Sequence, residues 1–105
     1  MQVRDLRDQA ARFVQVHGLE ASPEVWLLGL GSEVGEVAKE VLRSADYGRV
    51  SFRPGRGWED ELGDALFALV CLANTTGVDL EACFEDSQKK HESRLEARGD
   101  AGSAG

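Results

Sequence analysis

Residues 61–74 read ELGDALFALVCLAN, and this stretch decides the fold. Residues 65–73 within it are nine consecutive apolar residues, about half the length of a membrane span. A helix built from such a run has no polar face and must be covered by other elements. We therefore predict a helix over about residues 58–76, ended by Gly77, at the centre of an all-α fold.

Three further helices are predicted around this one. Apolar residues recur at helical spacing over about residues 2–17, 23–44 and 79–98, and no segment alternates apolar and polar residues as a strand does. The second of these helices starts at residues 22–24 (SPE), which combine a hydroxyl N-cap, a proline at the first helical position and an acid in the first turn. Residues 45–57, rich in glycine and arginine, are predicted to form a loop.

The 105 residues are enough for one hydrophobic core and too few for two, so we expect a single helical domain over residues 1–98. Residues 99–105 (GDAGSAG) have nothing to bury, and we predict a disordered C-terminal tail. Cys71 and Cys83 fit neither a disulfide framework nor a zinc site. They are predicted to be reduced residues of the core.

The charge of the chain excludes some partners. Twelve Lys and Arg stand against 19 Asp and Glu, a formal net charge of −7. That balance argues against the basic surface that binds nucleic acid or an anionic membrane. The N-terminal residues are charged and lack the apolar region of a signal peptide. We expect a cytoplasmic protein that binds neither nucleic acid nor membranes.

Two acidic pairs, each spaced by three residues, lie on the second and third predicted helices. They are Glu33 with Glu36, and Glu61 with Asp64. Residues at this spacing share one side of a helix, so each pair brings like charges together, which is unfavourable unless a cation lies near them. Four carboxylates on two adjacent helices would supply the oxygen ligands that Mg²⁺ or Mn²⁺ prefers.

Spacing alone leaves open whether these acids form a metal site or a solvated, salt-bridged face. Acidic pairs at this spacing are about as frequent as the composition predicts by chance. Asp64 directly precedes the apolar run, where an unpaired carboxylate would be costly to bury. Glu33, Glu36 and Glu40 share a helix stripe with Trp26, which is less typical of a purely solvated face.

The two pairs with their flanks resemble the MazG-type all-α nucleoside triphosphate pyrophosphohydrolases. Members carry ExxE and then ExxD on two antiparallel helices, and this chain has EVGE at 33–36, 24 intervening residues and ELGD at 61–64. Residues 77–94 (GVDLEACFEDSQKKHESR) look like the helix that follows in the family, including its Lys-x-x-x-Arg. The resemblance covers roughly residues 25–95.

The resemblance implies hydrolysis of a nucleoside triphosphate to a monophosphate and pyrophosphate, with Mg²⁺ as cofactor and Mn²⁺ as the alternative ion, in nucleotide-pool sanitation. It implies that Lys90 and Arg94 contact the phosphates of the substrate. It also implies a four-helix MazG-like bundle completed by oligomerisation, as a homodimer or homotetramer. The residues implied for metal binding and catalysis are the four acids Glu33, Glu36, Glu61 and Asp64.

Three other residues are candidates for substrate binding. Trp26 could stack on a base, with core packing as the structural alternative. Arg56 could contact phosphates in place of a lysine that some members carry at the position of Gly57, with ordinary solubility as the alternative. Asn74 could donate a hydrogen bond to the substrate, with helix-end capping as the alternative.

Two other functions stay open. The chain is similar in size and helical layout to phosphoribosyl-ATP pyrophosphohydrolase, although ELGDALFALV is closer to the MazG form. A noncatalytic helical oligomerisation or regulatory module is the alternative from a different class. Two departures from the family pattern favour the noncatalytic module. Ser32 stands where many members have a further acid, and position 57 lacks the lysine that some members carry.

Overall fold

A computed structural model of the chain describes residues 2–99. Over that range it contains four α-helices and no strand, so the predicted all-α class is confirmed. The helix boundaries lie within one residue of those expected from the sequence. The helices are α1 (Val3–Val16), α2 (Pro23–Ser44), α3 (Trp58–Thr75) and α4 (Leu80–Arg98), and a short 3₁₀ turn, Asp46–Gly48, follows α2.

The helix ends follow from local side-chain chemistry. At the start of α2 the Ser22 hydroxyl accepts a hydrogen bond from the Val25 N–H at 3.3 Å. At the start of α4 the Asp79 carboxylate accepts from two backbone N–H groups of the first turn, at 3.0 and 3.3 Å. Gly99 ends α4 with a left-handed φ of 79°, which glycine adopts without strain. Residues 100–105 of the predicted tail lie outside the described residues.

Helix α3 is the centre of the fold, packed mainly against α2 and to a smaller extent against α1. Most of the buried apolar residues lie on it. They are Ala68, Val70, Cys71 and Ala73 on α3, with Ala10 on α1. The Phe67 ring packs edge-on against Phe13 and Trp26, with ring centroids 5.8 and 6.0 Å apart, and extends this core towards α1 and α2.

Helix α4 does not close a compact bundle within one chain. Its axis turns 107° from that of α3, and its main contacts are with α1. The radius of gyration is 16.6 Å, against about 13 Å for a compact domain of this length. Large apolar side chains are exposed, among them Leu28 on α2 and Phe84 on α4.

The two cysteines illustrate the consequence of this open arrangement. Cys71 on α3 is buried and reduced, as predicted. Cys83 is also a free thiol, but it is exposed, so its predicted place in the core is wrong. The physical reason is that α4 projects away from α3 and leaves most of its surface in solvent.

No single helix between residues 2 and 99 is long and apolar enough to cross a membrane, and only the bent pair α3 with α4, taken together, meets that test.

The central position of α3 predicts an unequal cost for the same substitution at two sites. Val70 is 3% exposed and Val16, at the end of α1, is 76% exposed. We expect Val70→Ala to lower the free energy of unfolding by about 1–3 kcal/mol, because it removes two buried methyl groups and leaves a cavity. Val16→Ala is the matched control and should change it by less than about 0.5 kcal/mol. Equal effects in urea denaturation would contradict the described core.

Candidate metal centre

Three carboxylates meet where α2 packs against α3. One oxygen from each of Glu33, Glu61 and Asp64 lies within 4.8 Å of the other two. Glu61 and Asp64 share one side of the first turns of α3 because they are three residues apart. The packing of α2 against α3 adds Glu33 from the middle of the other helix. The structure therefore brings together one acid of the ExxE pair and both acids of the ExxD pair.

The electrostatics of this cluster are unfavourable without a cation. Burial raises the pKa of Glu61, and the negative charges of Glu36, Asp64, Glu33 and Glu40 raise it further. Within the described part of the chain, no lysine or arginine forms an ion pair with any of these carboxylates. A set of oxygen donors with mutual repulsion and no basic partner suits a hard divalent cation. The residues present therefore fit a metal ion of this class.

Two further acids of α2 lie beside the cluster. Glu36 is exposed and is not one of the three that converge, yet its charge acts on Glu61. Glu40, one turn further along α2, is half-buried and accepts a hydrogen bond from the Ser44 hydroxyl at 3.4 Å. The sequence places Glu40 on the acidic stripe but offers no signal that selects it as part of the site. Glu40 is selected only by its contact with Gly55 of the loop before α3.

The predicted phosphate contacts Lys90 and Arg94 are not brought to the cluster within one chain. From Asp64 to the end of α3 is about 16 Å, and Lys90 lies about 15 Å along α4, at a rise of 1.5 Å per residue. Because the axis of α4 turns 107° from that of α3, the chain does not return along α3, and Lys90 stays far from Asp64. The role of both residues as substrate contacts stays a prediction.

Trp26 and Asn74 lie on the side of α3 that faces α1. The Trp26 ring packs against Phe67 as part of the core. The Asn74 side chain donates to the Arg7 backbone carbonyl at 3.1 Å. Arg7 in turn donates to the Val78 carbonyl at 3.1 Å, so these bonds fasten α1 to the turn between α3 and α4. The structure gives both residues a packing role.

Arg56 lies in the loop that leads into α3, five residues before Glu61. It is exposed, and in the described chain no ion pair involves it. Of the predicted substrate contacts outside the four acids, Arg56 is the one that the chain order places near the cluster. An exposed guanidinium without an ion pair can bind an anionic ligand through bidentate hydrogen bonds.

The raised pKa of Glu61 makes the stability of the metal-free protein depend on pH. A carboxyl group whose pKa is raised by folding contributes fully to stability below its unfolded pKa of about 4.3, and this contribution is lost as pH rises through the folded value. We therefore expect the melting temperature of Glu61→Gln to rise relative to that of the wild type as pH increases from about 4.3 through the folded pKa of Glu61. The measurement is thermal denaturation with a chelator present.

Glu59→Gln is the matched control for this measurement, because Glu59 is an exposed glutamate in the same turn of α3. Glu59→Gln should not gain stability relative to the wild type as pH rises, because its charge lies in the first turn of α3, where the helix dipole favours an anion. A stability difference between Glu61→Gln and the wild type that stays constant across the range would contradict the electrostatic account of the cluster.

Comparison with known proteins places this geometry in a family. The family model for the MazG nucleotide pyrophosphohydrolase domain matches residues 21–98, which include α2, α3, α4 and all four acids of the two pairs. The uncharacterized protein YpjD of Bacillus subtilis (strain 168) is 31% identical over 94 residues, covering 88% of this chain and 85% of YpjD. No solved structure gives a significant match. The chain belongs to the MazG nucleotide pyrophosphohydrolase family.

Proposed function

We propose that this protein is a Mg²⁺-dependent nucleoside triphosphate pyrophosphohydrolase that acts in nucleotide-pool sanitation. The observation that carries the proposal is the convergence of Glu33, Glu61 and Asp64 within 4.8 Å, without a basic partner in the described residues. Membership of the MazG family supports a nucleotide substrate. The products are a nucleoside monophosphate and pyrophosphate, formed by hydrolysis between the α- and β-phosphates.

The three converging carboxylates would hold the metal ion, with Mg²⁺ preferred and Mn²⁺ as the alternative. When bound, the ion supplies positive charge that neutralises the triphosphate and stabilises charge developing on the phosphoryl oxygens. This requirement is strong here, because a chain with a net charge of −7 would otherwise repel such a substrate.

Glu36 is the residue that we assign to the attacking water. It lies one helical turn from Glu33 and acts electrostatically on Glu61, so it is close to the reaction site. It stands outside the group of three, which leaves its carboxylate available to accept a proton. In this assignment Glu36 orients the water by hydrogen bonding and takes its proton as the oxygen attacks phosphorus.

The cations that bind the phosphates would come from two places. Arg56 lies in the loop before α3, and Lys90 with Arg94 would come from α4 of a second copy in a homodimer or homotetramer. An open chain with a radius of gyration of 16.6 Å and many exposed large apolar residues supports such an assembly. Association would bury these side chains and bring α4 of one copy to the carboxylates of another.

Activity and metal binding should be measured on the same variants. We expect pyrophosphate release from a member of a panel of NTPs, dNTPs and phosphoribosyl-ATP in the presence of Mg²⁺. Glu61→Gln should lower kcat/KM by about 100-fold or more, because it removes several kcal/mol of transition-state stabilisation. It should also abolish the rise in melting temperature that Mg²⁺ produces in the wild type.

Glu36→Gln separates proton transfer from metal binding. It should lower kcat while retaining Mg²⁺-induced stabilisation, and Glu59→Gln should retain both properties. Absence of turnover of every substrate by the wild type would contradict the proposed enzyme and favour a noncatalytic module. Turnover of phosphoribosyl-ATP alone would replace the proposed substrate class.

A mixing experiment tests whether the site is shared between copies. Glu61→Gln homo-oligomers and homo-oligomers with both Lys90→Ala and Arg94→Ala should each be nearly inactive. Random mixing into dimers should restore about a quarter of the wild-type sites, because half of the dimers then contain one site with every residue intact. No recovery, with mixed dimers verified by differential tags, would show that Lys90 and Arg94 serve their own chain or no site at all.

A further inference from the structure

The loop between α2 and α3 is held by its backbone only at its two ends. The N–H groups of Gly48, Arg49 and Val50 donate to carbonyls of residues 45–46 at 3.0–3.2 Å. Asp46 and Tyr47 adopt left-handed φ values of 46° and 55° in this tight reversal. At the other end the Trp58 N–H donates to the Gly55 carbonyl at 3.3 Å. Side-chain contacts must position the segment between them.

A first contact closes the loop on itself. The rings of Phe52 and Trp58 pack edge to face with centroids 5.1 Å apart, and both residues are half-buried. The five residues between them, 53–57 (RPGRG), are therefore drawn into a short arch at the start of α3. This arch, which we call the RPGRG arch, carries two exposed arginines, Arg53 and Arg56.

A second contact ties the RPGRG arch to the acidic stripe of α2. A Cβ atom added to Gly55 would lie 3.1 Å from the Glu40 carboxylate oxygen, so the two residues approach closely, and a side chain at position 55 would require that carboxylate to shift by a few tenths of an ångström. Gly55 is not among the glycines with positive φ, and the close approach is therefore what favours glycine here. The Ser44 hydroxyl donates to the same Glu40 oxygen at 3.4 Å and orients the carboxylate towards the arch.

The contact places the arch within electrostatic reach of the metal centre. Glu40 is among the charges that raise the pKa of Glu61. Arg53 and Arg56 flank Gly55 but do not pair with Glu40, and the described chain contains no ion pair that involves either of them. Arg53 and Arg56 are thus two exposed guanidinium groups on a segment that contacts the acidic stripe, and guanidinium groups are suited to a bidentate phosphate contact.

We propose that Glu40 is a positioning residue that holds Gly55 and thereby presents Arg53 and Arg56 of the RPGRG arch to the phosphates of the substrate. This role rests on the proposed pyrophosphohydrolase function and adds two elements to it. Glu40 acts through the loop and not as a metal ligand, and Arg53 joins Arg56 as a phosphate contact. The arch would bind the same anion that the metal ion binds, from the side of α2.

The anchoring can be tested without turnover by brief trypsin digestion of the folded full-length protein. Trypsin can cleave after Arg56, whereas the bond after Arg53 is protected by Pro54. We expect Glu40→Ala to increase the initial cleavage rate at Arg56 several-fold, because it removes the carboxylate that contacts the arch. Gly55→Ala should increase it less, because the Glu40 carboxylate needs to shift by only a few tenths of an ångström. Glu40→Gln keeps a side chain of the same shape and should restore a rate near that of the wild type.

Gly31→Ala is the matched control for Gly55→Ala, since a Cβ at Gly31 meets nothing within 4 Å. Its cleavage rate at Arg56 should equal that of the wild type, and circular dichroism should show that all variants are folded. An unchanged cleavage rate at Arg56 in folded Glu40→Ala would overturn the anchoring role.

The functional half of the proposal is tested by kinetics on a substrate that the wild type hydrolyses. Glu40→Ala should raise KM several-fold with little change in kcat, and so should Arg53→Ala. The two changes should not multiply in Glu40→Ala/Arg53→Ala, because both act through the same contact. Loss of Mg²⁺-induced stabilisation in Glu40→Gln would instead make Glu40 a metal ligand and overturn the positioning role.

The two proposals fail differently. If the wild type hydrolyses no triphosphate, the proposed function fails and the assigned role of the arginines fails with it, whereas the cleavage rates still decide whether Glu40 holds the arch. If turnover is normal but Glu40→Ala leaves both KM and cleavage unchanged, the enzyme stands and the positioning role fails.

Discussion

The packing of α2 against α3 is the interaction on which the rest of the molecule depends. Burying the apolar face of α3 is favourable by about 25 cal/mol for each Å² of apolar surface removed from water. The same packing forces Glu33 against Glu61 and Asp64, where burial and neighbouring negative charges raise the pKa of Glu61. The core therefore stabilises the fold and, in the same contact, creates a local repulsion that a divalent cation would relieve.

The second constraint is the small size of the chain. A domain of this length buries a limited fraction of its surface, and of the five buried apolar residues in the described chain four lie on α3. Helix α4 departs at 107° and keeps residues such as Phe84, which is 62% exposed, in solvent. The open shape leaves large apolar side chains in solvent. In the proposed enzyme, a second copy would cover these side chains and receive the basic residues of α4.

The loop between α2 and α3 connects these two constraints. It leaves α2 through left-handed residues, closes on itself through the Phe52–Trp58 pair and meets Glu40 at Gly55. None of these contacts is strong by itself. Together they set the position of a basic segment against the acidic stripe of α2. A negatively charged protein that binds a polyanion needs such a segment, because the metal ion alone neutralises only part of the substrate charge.

The sequence by itself determined the helices, their ends and the candidate carboxylates. Those features depend on local signals: the 65–73 apolar run, the Ser22 cap and the spacing of three between Glu61 and Asp64. It did not determine that Cys83 is exposed or that Asn74 bonds to α1, since the departure angle of α4 and the packing of α1 are set by contacts between residues far apart in the chain.

Tertiary structure also decided which of the acids converge. Helical spacing places Glu33, Glu36 and Glu40 on one stripe of α2, because it gives only the positions of residues around a single helix. Only the position of α3 selects Glu33 for the metal centre and leaves Glu36 beside it. Only the path of the loop places Gly55 against Glu40. Periodicity gives the direction of a side chain around its own axis, whereas distance to another helix depends on how the two surfaces pack.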